Sequence, residues 1–95
     1  MNRIFETVKK RLEASFALSH FEIDDFANEH QHHKHFSGGA HLKATIVSQA
    51  FEGIDLIDRH RRVYELVNDL MQNDIHALSM KTYTPNEWIS VQEKQ

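Results

Sequence analysis

Cysteine is absent from the 95 residues, so the chain forms no disulfide, has no thiol nucleophile, and offers only histidine, aspartate and glutamate as strong metal ligands. A thiolate-ligated metal centre therefore cannot be built from this chain alone. Long apolar runs are missing too: none approaches the roughly 20 residues a membrane helix needs, and a soluble protein is expected. The first residues, Met1-Asn2-Arg3-Ile4-Phe5-Glu6, lack the apolar core of a secretory signal. Glu6 and Glu13 break the acid-poor pattern of a transit peptide, so the expected location is cytoplasmic. There is no G-x-S-x-G elbow, no phosphate-cradling glycine loop and no H-E-x-x-H. His60 or His76 could in principle act as a base, but no partner constellation accompanies either, and the chain is not expected to be an enzyme.

What is present is a hydrophobic fraction of 40%, enough for one folded domain spanning residues 1–95 with a modest core. Eleven basic and fourteen acidic side chains give a net charge of −3, which opposes non-specific phosphate binding. Eight histidines are many for this length; protonating all of them would bring the charge to +5, so its sign depends on mild acidification.

Ile4, Val8, Leu12 and Phe16 recur at four-residue spacing and predict a helix over 3–18, broken at Ser19-His20. Phe21 and Ile23 alternate with Glu22 and Asp24 as in a half-buried strand. Residues 27–40 carry no apolar period and end in Ser37-Gly38-Gly39, an expected exposed loop. Leu42, Ala44 and Ile46 alternate with polar neighbours and predict a second strand antiparallel to the first. Gly53 marks a turn, and Asp55 is positioned to cap a helix over about 56–72 that places Leu56, Val63, Val67 and Leu70 on one side, with Arg59 and Arg62 off the apolar stripe. Residues 75–82 read as a third strand, and Pro85 opens a last short helix through Glu87 and Trp88. The expected class is α+β: a three-stranded sheet with helices packed on one face, plus a short C-terminal helix.

Three groups of residues can carry chemistry. Strict alternation along the third strand sets His76 on the face of Leu78 and Met80, where a histidine is often a hydrogen-bonded core residue. The histidines at 30, 32, 33, 35 and 41 are spaced so that two imidazoles can reach one metal, or they belong to a solvated polar loop. Arg59, Arg61 and Arg62 with Lys43 and Lys81 supply the minimum for touching phosphates, while Asp55, Asp58 and Glu65 can pair with the arginines at helical spacing.

Read in order, Phe51-Glu52-Gly53, Arg59-His60-Arg61, His76-Ala77-Leu78 and Thr84-Pro85-Asn86-Glu87-Trp88 resemble the FxG, RHR, HAL and TPxEW elements of the BolA family, over roughly residues 3–90. The resemblance implies a type II KH-like fold of order α-β-β-α-α-β plus a short C-terminal helix, with a small extra helix near Glu52–Ile54. It implies non-enzymatic proteins of two kinds, partners of monothiol glutaredoxins in iron–sulfur trafficking or iron and redox sensing, and DNA-binding transcriptional regulators. In the first, a [2Fe-2S] cluster is shared in the complex only, with sulfur from the glutaredoxin and glutathione. His76 falls on the fixed ligand and His33 or His35 on the loop ligand, while His41 matches the histidine that opens the second strand. This loop is shorter than in many relatives and lacks their usual proline. In the second kind, Arg59, Arg61 and Arg62 would meet DNA, although the GxxG clamp of nucleic-acid-binding KH domains is missing. The apo-protein is expected to carry no cofactor and to be a monomer or weak homodimer.

Overall fold

The computed structural model describes residues 3–25, 40–72 and 74–94. Helix α1 (Arg3–Ser15) buries Val8 and Leu12. It stops three residues before the expected end, because Leu18 already pairs with Ser48 in strand β1 (Leu18–Asp25). Ser19, read as a break, is instead the extra residue of a bulge between Leu18 and His20. Strand β2 (Ala40–Ser48) runs antiparallel to β1 and occupies the centre of the sheet.

A 3₁₀ turn over Gln49–Phe51 follows, started by the Ser48 hydroxyl, which accepts from the Ala50 amide at 3.1 Å. This is the short extra helix, lying three residues before its expected place. It is ended by Glu52, whose backbone is extended (ψ 133°), and Gly53 turns the chain onward with a φ of +76°, left-handed backbone that disfavours other residues. Helix α2 (Leu56–Val67) is capped as expected: the Asp55 carboxylate accepts from the Asp58 amide at 3.0 Å. Its last turn tightens into a 3₁₀ segment, Asn68–Gln72, that turns Leu70 into the core. Arg11 ties α1 to this region through the Leu66 carbonyl and the Asp69 carboxylate. Strand β3 (Ile75–Tyr83) lies parallel to β2, and helix α3 (Pro85–Glu93) closes the described chain with Pro85 in its first turn.

The sheet order is β1-β2-β3. One face carries Leu42, Ala44, Ile46 and Leu78, and packs with Val8 and Leu12 of α1 and Val63 and Val67 of α2 into a single core. Both long helices thus share a face, as the pattern implied. The other face carries Glu22, Asp24, Lys43, Thr45, Lys81 and Tyr83, and α3 lies against it through Trp88 and Val91. Trp88 stacks on His20, with ring centroids 4.8 Å apart, and is tilted against Tyr83 at 5.5 Å. Val47 is buried outside the main core, consistent with its position between His20 and Tyr83 on this second face.

Candidate functional site

Leu56 does not start the buried stripe of α2; it is 59% exposed, and Arg59 takes its place at 6%. The stripe runs Arg59, Val63, Val67 at four-residue spacing, so the expectation that Arg59 sits off it is corrected. All three nitrogens of its guanidinium donate hydrogen bonds. Nε donates to the Ile54 carbonyl at 2.7 Å, Nη1 donates to the Thr82 carbonyl at 3.2 Å and to Glu87 Oε1 at 2.7 Å, and Nη2 donates to Glu87 Oε2 at 3.2 Å. The cation also lies 5.8 Å from the centre of the buried Phe51 ring. Glu87 completes a capping box with Thr84, accepting from the Thr84 amide at 2.9 Å while the Thr84 hydroxyl accepts from the Glu87 amide at 3.2 Å. The Arg59 guanidinium first, and the Thr84 amide second, hold the Glu87 carboxyl below its ordinary value. Phe51, Arg59, Thr84 and Glu87, from three of the four sequence motifs, are therefore one keystone joining α2, β3 and α3.

The fourth motif behaves differently. The β2–β3 register breaks between Ala40, which faces Ile75, and His41, which faces Ala77. β3 carries one extra residue there, so Ile75 and Leu78 are both buried while His76 is exposed. Strict alternation had placed His76 beside Leu78 in the core; the bulge overturns that reading. The His76 ring stacks on the half-buried His41, with centroids 4.9 Å apart and planes 28° from parallel. The His41 backbone amide donates to Asp25 Oδ1 at 3.3 Å, tying the first turn of β2 to the end of β1. His33 and His35, with His30 and His32, lie outside the described residues. Among the described residues no three metal-ligating side chains converge.

Arg61 and Arg62 are exposed on α2, and Arg61 stands 3.6 Å from Asp58 one turn earlier. Lys43 and Lys81 belong to the opposite face of the sheet, under α3. The five basic residues considered together in the sequence thus do not assemble: of the three on α2 one is buried and two are exposed, and the other two lie across the sheet. Sequence reasoning also missed the His20–Trp88 stack. The four-residue spacing of Arg59, Val63 and Val67 was the available signal for a buried Arg59, whereas the His41–His76 pairing depends on the β3 bulge, which alternation alone does not reveal.

Fold and site define a small α+β domain that offers imidazole outward from a sheet end and keeps Arg59 for its own architecture. The profile of BolA-like proteins matches residues 12–87, and the chain belongs to the BolA family. It is 32% identical over 85 residues to the DNA-binding transcriptional regulator BolA of Haemophilus influenzae, covering 90% of this chain and 81% of that protein. The same-named regulator of Escherichia coli is 30% identical over 90 residues, covering 95% and 84%. Among solved structures, the BolA domain of SufE1 from Arabidopsis thaliana superposes with a TM-score of 0.76 at 32% identity, covering 92% of this chain and 98% of that one. No described helix is long and apolar enough to cross a membrane.

Proposed function

We propose that this chain is a non-enzymatic cytoplasmic partner of a monothiol glutaredoxin and that the two hold a [2Fe-2S] cluster between them for trafficking or sensing. The observation that carries the reading is the exposure of His76. A residue placed outward by a bulge, stacked on a second imidazole, and unused by the core has no architectural task that explains it. The donor set fits half of a shared centre. His76 would bind one iron, His41, His33 or His35 would be the second nitrogen donor, and thiolates must come from the partner because this chain has none. When bound, imidazole in place of thiolate raises the potential of such a cluster. The chain's own part is to hold His76 outward on β3, brace it against His41, and anchor β2 through Asp25. Mixing the purified chain with a cluster-loaded monothiol glutaredoxin should change the visible absorption and circular dichroism of the cluster. His76→Ala should abolish that change.

The second reading, a DNA-binding regulator, is favoured by the similarity to the Haemophilus influenzae and Escherichia coli proteins, both named as DNA-binding transcriptional regulators. Here it would rest on Arg61 and Arg62, since Arg59 is buried. An unaltered cluster spectrum together with sequence-selective, Arg61- and Arg62-dependent duplex binding would put this reading first.

A further inference from the structure

The face of the sheet away from the core is not an open polar surface. Helix α3 walls it on one side with Trp88 and Val91, leaving a cleft of about 380 Å³, within the range of roughly 300–1,000 Å³ usual for small-molecule sites. Charge is divided across its floor by strand. β1 contributes Glu22 and Asp24; β2 and β3 contribute Lys43 and Lys81, with Thr45 directly beside Lys81 and two positions from Lys43. Asp24 faces Lys43 across the ladder, yet among the described residues neither lysine makes an ion pair, and neither does Asp24. Glu22 pairs with His20. The two signs therefore stand side by side under a partly apolar wall, with Asp24, Lys43 and Lys81 outside any ion pair among the described residues and Glu22 shared with His20.

We propose that this cleft binds a small zwitterion, its anionic group on Lys43, Thr45 and Lys81 and its ammonium group on Glu22 and Asp24. Strands lie roughly 4.8 Å apart, so the ligand's charges are separated by one to two such spacings, about 5–10 Å. A simple anion meets the lysines but is repelled by the β1 carboxylates, and a simple cation meets the reverse. Only a molecule carrying both charges satisfies the whole floor. Its anionic group can be a carboxylate, as in a short peptide, or a phosphate ester, and the shared requirement is the opposed ammonium. The site is separate from the His41–His76 pair and does not depend on the glutaredoxin reading.

Trp88, the single tryptophan of the chain, lines the cleft and reports on it. The test titrates the full chain with triglycine and with phosphoethanolamine, using acetate, inorganic phosphate and ethylamine as single-charge controls. Trp88 emission and amide chemical shifts are both followed. At least one zwitterion should bind about fivefold or more tighter than every single-charge control, and which one does identifies the anionic group. Lys43→Gln and Lys81→Gln should each weaken it by up to about fivefold, the scale of one exposed ion pair. Glu22→Gln with Asp24→Asn should remove the preference over the simple anion. These side chains are exposed or rim the cleft, and circular dichroism checks that each variant keeps its fold. Equal binding of zwitterions and simple anions, no perturbation of cleft amides by either zwitterion, or wild-type affinity in the double lysine variant would overturn the proposal.

Discussion

Arg59 and His76 show how differently two residues of comparable sequence prominence are used. Arg59 is a buried cation whose donors reach two carbonyls and one carboxylate. Removing it leaves buried acceptors unpaired, and Arg59→Ala should cost about 3 kcal/mol. A urea midpoint that falls at unchanged slope would show this. Arg59→Lys should rescue little, because an ammonium cannot reproduce the fork against Glu87. Glu87 adds a pH dependence of fixed sign. Its carboxyl is held below the ordinary value near 4.5, so its contribution is complete above that value, fades as pH falls through the lower folded value, and is gone beneath it. Glu87→Gln should flatten that part of the acid limb of a stability–pH curve. His76→Ala, by contrast, should change stability by no more than about 0.5 kcal/mol, the usual range for a surface site. A loss several times larger would restore the core reading. For the loop, His33→Ala and His35→Ala should each weaken the shared cluster only in part, and the double variant by more than the two losses added. A double variant with a cluster as long-lived as wild type would remove both from the site.

Among the elements, those whose signal is local were legible. The Ile4–Val8–Leu12–Phe16 stripe placed α1, Asp55 marked the start of α2, and Thr84-Pro85 marked the start of α3. Three features were not, each for a physical reason. Periodicity gives a helix its pitch but not its phase, so Leu56 read as buried when Arg59, whose long apolar stem suits a core edge, holds that position. A bulge adds one residue without altering composition, so alternation along β3 inverted the facing of His76. Which sheet face a terminal helix takes depends on the partners it finds, and the His20–Trp88 stack has no sequence signature. Helix α3 buries no residue fully, so it depends on its cap, the Arg59–Glu87 pair and Trp88. Thr84→Ala should therefore destabilise the protein by about 1 kcal/mol, and amide exchange should quicken first in 85–93. Uniform acceleration across α1, β2 and α3 instead would mean that α3 does not open independently.

At the scale of the molecule, charge is distributed against a single nucleic-acid face. Arg61 and Arg62 project from α2 on one side of the sheet, and Lys43 and Lys81 lie on the other with two carboxylates beside them. With a net charge of −3, DNA affinity at pH 7.5 should be weak and steeply lost with salt. Near pH 5.5, below the ordinary histidine pKa of about 6.5, it should rise without sequence preference. Fluorescence anisotropy with a specific duplex and scrambled competitor reads both regimes. Discrimination at pH 7.5 that disappears in Arg61→Ala with Arg62→Ala would establish a regulator's interface. The resemblance in four short motifs identified the family, but only the fold separated the three motifs that build the keystone from the one that faces outward. The central claim is that this outward histidine donates nitrogen to a cluster held between two proteins. Its most direct test is pulsed electron paramagnetic resonance of the reduced complex, with ¹⁵N-histidine incorporated in this chain alone. The account predicts a nitrogen hyperfine coupling that changes with the isotope and loses its His76 component in His76→Ala. A reduced cluster in the intact complex that shows no isotope-sensitive histidine coupling, or the same coupling after His76→Ala, would contradict it.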